Sequence, residues 1–174
     1  MGGARTDAEL VTAIAAGNDE AFAALVDRHG AWGMSVARRF SGNEAAAEDA
    51  LQESLLHLIE RSGRLVIDES VRPWLYAVIR NRTLAQRRDA SRTKAAEAID
   101  LPADPPGQDL DDEIRRAVAS LSEPLRETLI LRIVDGLSVA ETALALGVPE
   151  GTVKSRLSAA LAALREHPAL RAIF

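Results

Sequence analysis

Residues 95–112 divide this chain. Pro102, Pro105, Pro106 and Gly107 lie there among Asp100, Asp104, Asp109, Asp111 and Asp112. Proline lacks the amide proton that a helix interior needs, and closely spaced like charges repel, so the segment reads as an extended acidic linker. Whatever folds must fold on either side of it. The reading is two small domains, residues 1–94 and 112–174, joined by a linker over 95–111.

Both flanks read as helix, which makes the expected fold all-α. Alanine and leucine supply 54 of the 174 residues, and both are strong helix formers. Only six residues are aromatic, too few for an all-β fold. Thr6-Asp-Ala-Glu9 is a capping box opening a short helix that stops at Gly17. Asn18-Asp19-Glu20 opens a second helix to about residue 40, with Gly30 and Gly33 weakening its middle. Asn43 caps a third over 44–61, with Ala47, Leu51, Leu55, Leu58 and Ile59 inward. A fourth runs from about Ser70 to Arg92 with Pro73 in its permitted first turn, and Trp74, Ala77, Val78 and Leu84 inward. Beyond the linker the punctuation predicts four more, at about 112–120, 123–134, 138–146 and 149–165. Leu65-Val66-Ile67 is the one β-like run, and three residues are too few for a strand.

Several function classes drop out. With no cysteine there is no disulfide, thiolate site or thiol nucleophile. His29, His57 and His167 are too scattered for a local zinc site. No catalytic residue, metal or cofactor is expected, and the chain does not read as an enzyme. No stretch approaches 18 apolar residues and the first seven hold no apolar signal core, so a soluble, cytoplasmic protein is expected.

The net charge of −5 argues against nucleic acid only until it is mapped. Residues 1–71 carry −6, residues 72–94 carry +6, residues 95–113 carry −7 and residues 114–174 carry +2. Local field, not total charge, makes a binding face.

Three motifs carry the functional argument. From Leu137 to Leu164 a short helix opened by Ser138-Val-Ala-Glu141, a tight turn at Gly147-Val148 and a second helix form a helix-turn-helix. Ala143 lets the helices approach, and Val153, Leu157, Leu161 and Leu164 line the inner face. Thr152, Ser155, Arg156 and Ala159 line an outer face, flanked by Lys154 and Ser158. Such a face suits a major groove, with Arg156 placed to read a guanine edge. The competing reading is a plain helical hairpin with a solvated outer face.

Residues 72–92 place Arg80, Arg82, Arg87 and Arg88 around Asn81, near Trp74 and Tyr76. Guanidinium groups beside aromatic rings suit single strands, where phosphates meet charge and unstacked bases meet flat side chains. A solvated basic face competes, and Trp74, beside Leu75 on an amphipathic helix, reads as core more readily than as a platform for bases. In the third motif, Glu48, Asp49, Gln52 and Glu53 share one helix face by their spacing. It reads as a docking face for a basic partner or as a solvated surface; no histidine or glycine loop supports acid–base chemistry there.

In order, AEDALQES followed by Leu55 and Leu56, then RPWLYAVIRNR, an acidic linker, and GLSVAETALALGVPEGTVKSRL resemble the extracytoplasmic-function (ECF) sigma factors of bacteria, over about Glu9 to Arg165. The resemblance implies that Asp49, Gln52, Glu53 and Leu56 bind core RNA polymerase. It implies that Trp74, Tyr76, Arg80, Asn81, Arg82, Arg87 and Arg88 recognise and open the −10 promoter element. It implies that Ser138, Thr152, Lys154, Ser155 and Arg156 meet promoter DNA at the −35 element. An anti-sigma factor is a further expected partner, and the one route to membrane contact. The chain departs from the family at Leu55 and His57-Leu58, where aromatics are usual, and in the loop between Gly63 and Val71. It also departs at Ala159 and Ala160, where basic residues are common; each lost phosphate contact lowers the salt slope by roughly 0.9, so weaker −35 binding is expected. The alternatives are a sigma-like decoy that binds an anti-sigma factor, or a helix-turn-helix repressor. A decoy tends to lose its DNA-reading residues, whereas these remain; a repressor leaves the Asp49–Glu53 face without a role.

Overall fold

A computed structural model describes residues 5–93 and 112–167. The chain divides into two compact units, Met1–Pro102 and Ala103–Phe174. The linker expected over 95–111 lies outside the described residues. All regular structure among the described residues is helical.

The first unit contains α1 (Asp7–Ala15), α2 (Asp19–Phe40), α3 (Glu44–Arg61), a 3₁₀ turn (Ser62–Arg64) and α4 (Arg72–Thr93). Side-chain caps set the starts. Thr6 Oγ1 accepts from the Glu9 N–H at 3.2 Å while Glu9 Oε2 accepts from the Thr6 N–H at 2.7 Å. Asn18 Oδ1 accepts from Ala21 at 2.8 Å, and Asn43 Oδ1 from Ala46 at 2.9 Å. Each such cap contributes about 1 kcal/mol by satisfying an amide that the helix leaves bare. α2 packs against α1, α3 and α4. Gly33 makes the last two approaches close: a Cβ there would stand 2.8 Å from Leu51 of α3, with Ile79 and Leu75 of α4 at 3.6 and 3.7 Å. A separate corner of the core joins Leu10, Val11 and Ile14 of α1 to Ala21, Leu25, Leu58 and Val71.

Two inward faces differ from expectation. α3 buries Ala47, Ala50, Leu51, Ser54 and Leu58, whereas Ile59 is 40% exposed. The stripe returns every three or four residues and steps past Ile59; Ser54 takes part because its hydroxyl donates to the Ala50 carbonyl at 2.6 Å. On α4 the buried stripe is Leu75, Tyr76, Ile79 and Thr83, continuing from Val71. Trp74, Ala77, Val78 and Leu84 are half-buried at its margins.

The second unit contains α5 (Asp112–Ala119), α6 (Glu123–Leu129), α7 (Val139–Leu146) and α8 (Glu150–Glu166). α6 packs along α8, with Val118, Leu121, Leu129 and Ala160 at the centre of their core. The helix expected over 123–134 is not α throughout. It widens into a π turn at Ile130–Val134, where the Asp135 N–H donates to the carbonyl of Ile130. The Arg132 guanidinium donates to the Leu137 carbonyl and closes the turn. The extra residue leaves Ile133 and Val134 exposed.

Candidate nucleic-acid interface

On α3 the residues Asp49, Gln52, Glu53 and Leu56 are all exposed. Their spacing puts them on one face, which ends in two aliphatic side chains, Leu56 at 60% and Ile59 at 40% exposure. Ile59 was missed because the sequence pattern assigned it to the core. Beside this face the helix starts with an ion pair across the turn. Arg38 Nε lies 2.9 Å from Glu44 Oε2, and the guanidinium holds the Glu44 carboxyl below its usual range.

α4 does not gather its candidate DNA-binding residues on one face. Arg82 leans toward α3, where its Nη1 lies 2.8 Å from Glu53 Oε2. Arg80 and Arg87 turn toward the end of α2: the Arg80 guanidinium stands 5.8 Å from the Phe40 ring centroid, and Arg87 Nη1 donates to the Phe40 carbonyl at 3.3 Å. Asn81 and Arg88 are exposed. The expectation for Tyr76 is corrected. Tyr76 is 1% exposed and meets Phe40 edge to face with ring centroids 6.0 Å apart. It falls on the buried stripe one turn before Ile79 and is a core residue, not a surface for bases. Trp74 lies between the two readings. It is half-buried against the α1 corner of the core and stacks on His57, with centroids 5.9 Å apart and planes 15° from parallel. His57 thus supplies a flat ring at a position where the resemblance noted in the sequence implies aromatic side chains.

Sequence reasoning also missed the buried polar cluster at the start of α4. Asp7, in the first turn of α1, is buried. Its Oδ1 accepts from Arg28 Nη1 at 2.7 Å, and its Oδ2 lies 2.8 Å from His29 Nε2 and accepts from the Val71 N–H at 2.9 Å. Burial pushes this carboxyl up, but the bonds to His29, Val71 and Arg28 outweigh it, and the net displacement is well below the usual carboxylate range. The one signal was Asp7 inside the capping box, which the sequence explains as a first-turn acid.

The helix-turn-helix is formed by α7 and α8. Ser138 Oγ accepts from the Glu141 N–H at 3.1 Å and Glu141 Oε2 accepts from the Ser138 N–H at 2.7 Å. Ser138 is exposed, with its oxygen engaged as a cap. Gly147 takes φ +64°, a left-handed turn that glycine adopts without strain. Val153 and Ala143 are buried between the helices. On the outer side Lys154 and Ser155 are exposed while Thr152 and Arg156 are half-buried. Lys154 Nζ is 3.9 Å from Glu150, and Ser155 Oγ donates to the Thr152 carbonyl at 3.0 Å. Ala159 is exposed, but Ala160 is fully buried against α6. A basic side chain at 160 would enter the core, so of the two alanines only Ala159 stands where a basic side chain would reach solvent.

Among the described residues no group of three or more His, Asp or Glu side chains is placed to hold a metal ion, and no helix is long and apolar enough to cross a membrane.

Comparison with known proteins follows this division. The family model for Sigma-70 region 2 matches residues 25–93, and that for Sigma-70 region 4 matches residues 111–164. The ECF RNA polymerase sigma factor SigM of Mycobacterium tuberculosis is 36% identical over 163 residues, covering 92% of this chain and 83% of its own. The chain belongs to the ECF branch of the sigma-70 family. This ECF sigma factor is also 35% identical to SigL of the same organism, over 89% of this chain and 93% of SigL. Among solved structures it resembles CnrH in complex with the cytosolic domain of CnrY, at TM-score 0.66 and 25% identity, over 91% of this chain and 94% of that one. It also resembles the sigma factor RpoE in complex with the anti-sigma factor NepR from Bartonella quintana, at TM-score 0.57 and 28% identity, over 79% and 89% of the two chains. The region 2 match begins at residue 25, so α1 and Asp7 lie ahead of it.

Proposed function

We propose that this sigma factor directs core RNA polymerase to two-part promoters, binding polymerase through Asp49, Gln52, Glu53 and Leu56, with Ile59 extending the apolar end. α4 opens the −10 element, with Asn81 and Arg88 outermost and Arg80, Arg82, Arg87 and Trp74 at its margins. α8 enters the major groove at the −35 element through Thr152, Lys154, Ser155 and Arg156, with Ser138 near the backbone. The domains are 1–94 and 112–174, with the linker over 95–111 keeping both surfaces on one polymerase. No residue of this chain breaks a covalent bond; polymerase supplies the chemistry, and trapping unpaired bases offsets an unstacking cost of a few kcal/mol. The protein acts in the cytoplasm, and an anti-sigma factor restrains it there; one structural neighbour, RpoE, was solved in complex with the anti-sigma factor NepR.

The observation that carries this reading is the division of surfaces. One unit carries an exposed acidic and aliphatic strip beside an arginine-bearing helix, and the other carries a helix-turn-helix whose outer side exposes Lys154 and Ser155. Two weak surfaces held by one polymerase gain from effective concentration, so the protein without polymerase binds promoter DNA poorly. Selection from a random DNA library tests this, with and without core polymerase. Two separated motifs, enriched only with polymerase, are expected. One motif enriched without polymerase indicates a repressor, and no motif under either condition indicates a decoy.

A further inference from the structure

We propose that Asp7 is a positioning residue for promoter opening, holding the first turn of α4 in place from α1. The inference rests on the reading of α4 as the −10 helix. Asp7 belongs to a helix ahead of the residues matched by the region 2 family, yet its carboxylate reaches a backbone group 64 residues away in sequence. The N–H it accepts belongs to Val71, whose carbonyl takes the first helical bond of α4 from the Leu75 N–H at 2.9 Å. The amides at a helix start have no partner within the helix, and negative charge there is favourable. Asp7 thus caps α4 from outside it, beside the local cap that Ser70 Oγ provides to the Arg72 N–H at 3.2 Å.

The carboxylate is itself fixed. Arg28 and His29 of α2 grip it from one side, and the Arg28 guanidinium also donates to the Arg5 carbonyl at 2.7 Å. The cluster abuts the apolar corner in which Leu10, Val11, Ile14 and Leu25 pack against Val71, with Trp74 at its edge. Beyond its first turn α4 has separate attachments: Glu53 to Arg82, and Phe40 to Arg80 and Arg87. Removing the Asp7 carboxylate therefore loosens the turn that carries Trp74 while leaving the middle of α4 and the exposed strip of α3 in place.

The test uses full-length wild type, D7A, D7N, W74A and D7A/W74A with core polymerase. Opening is read from 2-aminopurine fluorescence in the −10 region of a duplex promoter and of a template already unpaired there. D7A is expected to slow opening about tenfold on the duplex, the scale of one charge-assisted hydrogen bond. It should keep core affinity within about twofold and recover on the unpaired template. D7N, which retains an oxygen for the Val71 N–H, falls between. D7A/W74A is expected to open no more slowly than the slower single variant, because both act on one turn. Multiplying defects, equal loss on both templates, or core affinity falling in step would overturn the proposal. If D7A does not fold, amide exchange in D7N decides: exchange at residues 71–76 that rises beyond the rise set by the lower stability of the whole unit supports the proposal, and the same rise across the unit overturns it. A wild type that binds polymerase but opens no promoter would sink the −10 reading, and this inference with it.

Discussion

Glu53 Oε2 lies 2.8 Å from Arg82 Nη1, and this ion pair ties the exposed strip of α3 to the arginine-bearing helix α4. Both side chains are partly exposed, at 49% and 32%. Water screens such a pair, and its coupling is of order 0.2–1 kcal/mol. A double-mutant cycle on E53Q and R82Q, read by urea denaturation, should return a coupling below about 1 kcal/mol that fades in molar salt. The pair fixes where two surfaces adjoin and contributes little to whether the unit folds.

Asp7 should behave in the opposite way. Its carboxyl is held below the usual range because His29, the Val71 N–H and Arg28 together outweigh the burial that pushes it up. The ionised form therefore belongs to the folded state. Its stabilisation is complete above the unfolded carboxyl value of about 3.9 and is lost as pH falls through the lower folded value. Wild type should exceed D7N by on the order of 2 kcal/mol at pH 7. Urea titrations at successively lower pH should show that gap closing below about pH 4; a gap constant down to pH 2 would contradict the assignment.

Two glycines in the middle of α2 should respond differently to one methyl group. A Cβ at Gly30 meets only Val26 Cγ1 at an ordinary 3.5 Å, whereas one at Gly33 meets Leu51 Cδ1 at 2.8 Å. Alanine gains about 1 kcal/mol over glycine inside a helix, and crowding a packed core costs about 1–3 kcal/mol. G30A should raise Tm by several degrees, and G33A should leave it unchanged or lower it. Scanning calorimetry of the two variants checks the difference.

On α8, Lys154 is exposed and Arg156 is half-buried. A mobile ammonium acts on phosphate, whereas a seated guanidinium can read a base edge. In the polymerase-bound state K154A should weaken −35 binding uniformly across sequences and reduce the salt slope by about 0.9. R156A should cost about 1–3 kcal/mol and relax preference at one base pair. Binding isotherms on a set of single-base promoter variants, at several salt concentrations, separate the two.

Much of the architecture was legible because its signals are local. Thr6, Asn18, Asn43 and Ser138 cap where their spacing says they should, and Gly147 turns the hairpin with a positive φ. What stayed hidden depends on phase and on distance along the chain. α4 carries apolar residues on several sides, so its buried stripe could be misplaced by one residue, and Tyr76 was assigned to DNA although it packs on Phe40. Ile59 shows the same error in reverse on α3. The π turn at Ile130–Val134 has no composition of its own, since its residues suit an ordinary helix equally well. The reach of Asp7 to Val71 joins segments whose proximity only the folded unit creates. Of the candidate site, the exposure of Asp49, Gln52, Glu53 and Leu56 was readable from helical spacing; the divergence of Arg80, Arg82 and Arg87 to opposite margins of α4 was not.

The most direct test of the central claim is run-off transcription with core polymerase from the same organism, on the promoter region upstream of this protein's own gene. Wild type is compared with a variant carrying D49A, Q52A and E53A. The account predicts a specific transcript with wild type, and its loss with the variant while the variant remains folded. No transcript, together with no binding of wild type to core polymerase, would contradict it.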